Sequence, residues 1–104
     1  MAWPLSNLLC SKVVSFQLYS GGIYDDPTCG TMLDHGVLLV GYDHDRDTGT
    51  KYWIVKNSWG SAWGENGYIR LAKDIMSSSG QCGIAMDPSY PIVHGKKYTE
   101  YSTA

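Results

Sequence analysis

The chain has no long apolar run, no run of one charge, no internal repeat and no low-complexity linker. No stretch approaches the ~20 apolar residues that a membrane-spanning helix needs, so a membrane role has no support. Eight Lys and Arg stand against ten Asp and Glu, for a formal net charge of −2 at pH 7. That balance leaves no basic footprint for nucleic acid or an anionic surface. No Asn-x-Ser/Thr acceptor is present, and the Cys and His residues do not fall at zinc-ligand spacing. "DHDRDTG" places aspartates at alternate positions, as a calcium loop does. Thr48, however, takes the place that needs Gly, and Ile54 falls where the closing Glu belongs, so the stretch reads as a solvated turn. Neither metal nor cofactor is expected. The opening "MAWPLSNLLCSKVV" lacks a basic start, and Pro4, Asn7 and Lys12 interrupt its apolar character, so it makes no convincing signal peptide.

What remains is a chain of 104 residues, 43% hydrophobic and 17% charged. This suits one small globular domain with a modest core. The three cysteines, Cys10, Cys29 and Cys82, are compatible with one pair plus a leftover, or with three thiols.

"SFQLYSGGIY" predicts a helical turn stopped by Gly21 and Gly22, then a short extended piece. "DHGVLLVGYD" has a continuous apolar centre, Val37 to Val40, which predicts a strand buried on both faces. "KYWIVKN" is aromatic and β-branched, the returning strand of a hairpin. "GYIRLAKD" alternates Tyr68, Arg70 and Ala72 against Ile69 and Leu71, the pattern of a half-buried strand. "SYPIV" predicts a final edge strand, since Pro91 cannot serve in a central one. The expectation is a mainly β fold: a small antiparallel sheet or partly open barrel with little helix.

His35 opens the first strong strand and Asn57 ends the second. An antiparallel hairpin brings those two ends to one edge. An amide oxygen on an imidazole N–H fixes the ring's tautomer and orientation, as the base of a nucleophile requires. From spacing alone the plainer alternative, a strand-end histidine and a turn asparagine, is the better one. Trp59 shifts the balance, because an indole two residues after Asn57 could cover the His–Asn bond and exclude water. For Trp63 a place in a core aromatic cluster is the better reading. Gly60 and Gly64 would let the chain turn tightly around both indoles.

Taken together, "LDHGVLLVGY", "YWIVKNSWGSAWGENGYIRL" and "CGIAMDPSYPIV", with "SFQLYSGGIY" and the Cys29–Gly30 pair ahead of them, resemble the C-terminal half of papain-like cysteine peptidases. The resemblance covers residues 15–93, with 94–104 an exposed tail and 1–14 a non-matching start. It implies the antiparallel, barrel-like C-terminal domain of that fold, incomplete here. By the same resemblance His35 is the catalytic base and acid, Asn57 its orienter and Trp59 the supporting indole. Asp34 offers its carbonyl to substrate, and Gly36 and Asp87 line the substrate cleft. Asp87 lies at the floor of the pocket for the second residue before the scissile bond, where an acid implies tolerance of Arg. Cys29 and Cys82 fall where the family forms a disulfide. Closing a loop of about 50 residues, that bond is worth roughly 3–4 kcal/mol in the chain-entropy model. It also implies an oxidising setting, lysosomal, vacuolar or extracellular by family resemblance.

The departures are as informative. No "CGSCW"-like segment is present, and "NLLCSKVV" around Cys10 has neither the glycines nor the tryptophan of the family's nucleophile. The family's barrel strand before "SFQLYSGG" has only "CSKVV" in its place, so a strand is expected to be missing and an edge left open. The expectation is a fragment of a peptide-hydrolysing Cys-His-Asn enzyme, inactive alone because a base without its nucleophile performs no covalent catalysis. The alternative is a non-catalytic module that docks on the helical domain of a related protease or on a protease inhibitor.

Overall fold

The computed structural model describes residues 5–86 and 88–89. Asp87, most of "SYPIV" and the tail lie outside the described residues. Strands β1 (Leu5–Leu9), β2 (Ile23–Tyr24), β3 (His35–His44), β4 (Lys51–Lys56), β5 (Tyr68–Ala72) and β6 (Pro88–Ser89) form one sheet in the order β2-β5-β4-β3-β1-β6. Helix α1 (Val14–Gln17) and a 3-10 turn (Gln81–Gly83) complete the elements. All neighbours run antiparallel except β2 and β5. The sheet does not close on itself.

The β3–β4 hairpin sets the frame. Its pairing runs from Leu38↔Lys56 to His44↔Lys51, with a shift in register between Leu39 and Gly41. Asp45 accepts the backbone N–H groups of Asp47 and Thr48 through its side chain, which shapes the connecting turn. One face of the sheet carries the core: Leu9, Val37, Leu39, Val55, Ile69 and Leu71, closed over by Phe16, Tyr19 and Ile84. Five of the six strand residues on that face are less than 2% exposed, with Val37 at 6%, and burial of this kind stabilises each by about 1.5–3 kcal/mol.

The other face is open, and two expectations change because of it. β3 is not buried on both faces: Val37 and Leu39 are buried, while Leu38 between them is 38% exposed. The run of apolar residues therefore records a face that nothing among the described residues covers. The second correction concerns the start of the chain. Leu5–Leu9 pairs with β3 from Leu5↔Leu39 to Leu9↔His35 and with β6 on its far side. The strand expected to be missing is present, five residues earlier than "CSKVV", and residues 5–9 belong to the sheet. Its pattern was obscured by Asn7, which stands on the core side at 3% exposure beside Leu9. A polar residue at a buried strand position breaks the alternation that reveals a strand.

Cys29 and Cys82 are joined by a disulfide across a sequence separation of 53. It ties the loop before β3 to the 3-10 turn. Gln81, 3% exposed, adds a second tie: its amide donates to the Asp26 carbonyl at 2.7 Å and accepts the Asp26 N–H at 3.0 Å.

Candidate active site

β3 begins at His35, and β4 ends one residue before Asn57. Asn57 leaves the ladder but donates its backbone N–H to the Gly67 carbonyl at 3.0 Å, which holds it at the strand's end. Its side chain is buried, with 5% exposure. Asn57 Oδ1 lies 2.6 Å from His35 Nε2 and also accepts the Ser58 backbone N–H at 2.7 Å. The second contact settles the chemistry of the first. A backbone N–H can only donate, so the atom facing it is the amide oxygen. An oxygen can only accept, so His35 Nε2 carries the proton. The neutral ring then keeps its lone pair on Nδ1, the nitrogen not tied to Asn57.

Trp59 stacks on the His35 ring, with centroids 5.0 Å apart and planes 25° apart. Its own position is set from behind. The buried Phe16 ring meets it edge-on at 5.6 Å and 88°, and Trp63 meets it at 5.3 Å and 82°. Trp63 Nε1–H donates to the carbonyls of Phe16 and Gln17, at 3.2 and 3.0 Å, at the end of α1. The turn carrying both indoles depends on glycine at one place above all. Gly64 sits at φ +59°, and a Cβ there would lie 2.5 Å from the Tyr68 carbonyl and 3.0 Å from the Tyr19 ring. Glu65 then braces the turn through two bonds to Arg70, at 2.9 and 2.8 Å. The hydrogen bonds from the Arg70 guanidinium hold the Glu65 carboxyl below its ordinary value.

Asp34 precedes the histidine. Its N–H donates to the Leu9 carbonyl at 3.0 Å, and its Oδ1 accepts both the N–H and the hydroxyl of Ser11, at 2.8 and 2.9 Å. The start of β3 is thus fastened to the end of β1. Sequence reasoning missed Ser11; the signal was absent because the partner lies across a strand that had not been recognised. Gly36 pairs with Leu8 and opens a groove of about 340 Å³ that Ser6, Leu38, Lys56 and Ser58 also line. Asp87 lies outside the described residues.

This geometry can hold an imidazole in one tautomer, cover one of its faces, and leave Nδ1 free of Asn57. Those are the requirements for the base of a thiol or hydroxyl nucleophile. Comparison with known proteins names the class. The profile described as papain family cysteine protease matches residues 2–92, and the chain belongs to that family. Cysteine proteinase RD21A of Arabidopsis thaliana is 60% identical over 93 residues, 89% of this chain but 20% of the relative. Fruit bromelain of Ananas comosus is 57% identical over 95 residues, 88% of this chain and 26% of the relative. A solved structure of the bromelain protease from Ananas comosus with the E64 inhibitor superposes with a TM-score of 0.80 at 52% identity, over 85% of this chain and 40% of that one. The chain therefore represents part of a papain-family cysteine protease, spanning about a fifth to a quarter of the length of these curated relatives. The match from residue 2 agrees with the position of β1 in the sheet.

Proposed function

We propose that this chain supplies the base half of a peptide-hydrolysing site whose thiol lies outside it. The observation that carries the reading is the 2.6 Å bond from His35 Nε2 to an Asn57 oxygen fixed by Ser58, beneath the Trp59 indole. In this reading His35 Nδ1 takes the proton of a cysteine thiol and later delivers it to the leaving amine. Asn57 orients the ring throughout, and Trp59 keeps water from their bond. The Asp34 carbonyl and the space above Gly36 receive a peptide substrate, and Asp87 is assigned to the pocket for the second residue before the scissile bond, where an acid would accept Arg. The helical domain that carries the thiol covers the open face at Leu8 and Leu38, which are 39% and 38% exposed. The buried disulfide suits an oxidising compartment, vacuolar, lysosomal or extracellular.

Cys10 is not the nucleophile in this reading. It is buried, and it directly follows Leu9, the last residue of β1, which pairs with His35. The isolated chain is expected to show no turnover of a fluorogenic dipeptidyl substrate. Fused in frame to the thiol-bearing part of fruit bromelain, it is expected to turn the substrate over, with a loss of about 10³-fold or more in His35→Ala. Turnover by the isolated chain that survives Cys10→Ser and dies with His35→Ala would overturn the division of labour. In the active fusion, an Asp87→Ala change that leaves the ratio of Arg to Leu cleavage untouched would remove the pocket assignment alone.

A further inference from the structure

The segment between β1 and α1 meets the start of β3 at a single atom. Ser11 is buried, at 8% exposure, and donates twice to Asp34 Oδ1: its backbone N–H at 2.8 Å and its hydroxyl at 2.9 Å. A carboxylate oxygen accepts such bonds more strongly than a neutral one. Ser11 is itself held from behind, since its carbonyl accepts the Gln17 amide at 3.3 Å from the end of α1. Asp34 is fastened on its other side by its own N–H, which donates to the Leu9 carbonyl at 3.0 Å. The pairing of β1 with β3 ends here. After Leu9↔His35, the Cys10 N–H turns to the Cys82 carbonyl at 2.8 Å, and the Ser11 N–H goes to the Asp34 side chain. Neither of these donors takes the Asp34 carbonyl. The Asp34 side chain thus ties the backbone down where the ladder stops. With the Ser11 N–H alone, the carboxylate could swing about one bond; the hydroxyl supplies a second direction and stops the swing. The His35 ring is held by other means, through Asn57 and Trp59.

We propose that the Ser11 hydroxyl is a positioning group for substrate: acting through the Asp34 carboxylate, it fixes the direction in which the Asp34 carbonyl meets a substrate backbone N–H. The inference rests on the reading that this carbonyl receives a peptide. It assigns Ser11 to binding rather than to proton transfer, because the contacts that orient the imidazole do not pass through it. A carbonyl left unaimed binds substrate and transition state more weakly alike, so the loss falls on KM and not on kcat.

The test uses the in-frame fusion to the thiol-bearing part of fruit bromelain. Ser11→Ala is expected to raise KM about 3- to 10-fold and to leave kcat within about twofold. Ser11→Thr, which keeps a hydroxyl, is expected to restore KM. Depsipeptide substrates, each with one non-scissile backbone N–H replaced by an ester oxygen, supply a readout that mere loosening of the fold would not move. One of these replacements is expected to cost the wild type at least about 10-fold in kcat/KM, and to cost Ser11→Ala at most about a third of that factor. An unchanged KM in Ser11→Ala would overturn the inference, as would equal ester penalties in the two enzymes. A fall in kcat with KM unchanged would also count against it, by placing Ser11 with the base. If Ser11→Ala does not fold, Asp34→Asn takes its place: it keeps the backbone carbonyl and weakens the clasp, so the same rise in KM is expected, and no rise refutes the role. A wild-type fusion without turnover would remove the base-half reading and this inference together. A wild-type fusion that is active and sensitive to His35→Ala, beside an unaffected Ser11→Ala, would remove this inference alone.

Discussion

His35 shows how much one backbone contact can determine. Because Ser58 donates to Asn57 Oδ1, the asparagine cannot turn its amide over without setting two donors face to face. Asn57→Ala should therefore free the ring to exchange tautomers. Nitrogen-15 NMR of the imidazole is expected to show a single Nε2–H form in the wild type and a mixture in the variant. In an active fusion the same change should cost about 10- to 100-fold in kcat, since it misplaces the base without removing it. Asn7 is the opposite case. Its Nδ2 bonds the Ile84 carbonyl, but its buried Oδ1 has no partner among the described residues. Asn7→Val leaves one carbonyl without a donor, but it removes one orphaned acceptor and adds apolar burial and strand propensity. The sum favours the variant by about 1 kcal/mol, to be read from the urea midpoint. Asn7 also explains what could not be read from the sequence. Hairpin geometry made the nearness of His35 and Asn57 legible, but spacing alone favoured a strand-end histidine and a turn asparagine; their grouping with Trp59 as a site is what the family resemblance implied. β1 and the Ser11–Asp34 tie were not legible, because tertiary pairing overrides a polar residue at a core position and leaves no local signal.

The elements are held mainly by what joins them. α1 has four residues and no side-chain cap, too short to persist alone. It is kept by the buried Phe16 ring and by the indole that bonds its last carbonyls. The turn between β4 and β5 depends on Gly64. Gly64→Ala meets both an unfavourable φ and the Tyr68 carbonyl, and should cost at least about 2 kcal/mol by denaturant unfolding. Because that turn carries Trp59 and Trp63, the His35 stack should loosen with it, visible as a change in near-ultraviolet circular dichroism. The strand identities of β3, β4 and β5 followed from aromatic and β-branched runs. What the runs could not tell was which face would be covered, since a strand bound for an interface between domains reads the same as one buried within a domain.

At the scale of the molecule, two hydrogen-bonded carboxylates make stability depend on pH in acid. The Asp26 carboxyl takes hydrogen bonds from Ser15 and Thr28, which lower it from an ordinary 3.8 to about 2. Its folded value lies below its unfolded one, so the stability it contributes is complete above about pH 4 and is lost as pH falls through 3.8 towards 2. Glu65, lowered by Arg70, acts in the same direction. The melting temperature is expected to fall between pH 4 and pH 2, and Asp26→Asn should flatten that fall. An unchanged slope in the variant would mean that the acid limb belongs to other carboxylates.

The order of the strands in the sheet also carries a consequence for synthesis. β1, the earliest of these six strands in the chain, lies between β3 and β6, and β2 pairs with β5, whose register begins at Ile23↔Arg70. Neither early strand has a local partner, and closing such long loops is slow. β1 and β2 must therefore wait without their sheet partners until later strands emerge. During that wait the Cys10 thiol, buried once the sheet has formed, stands exposed.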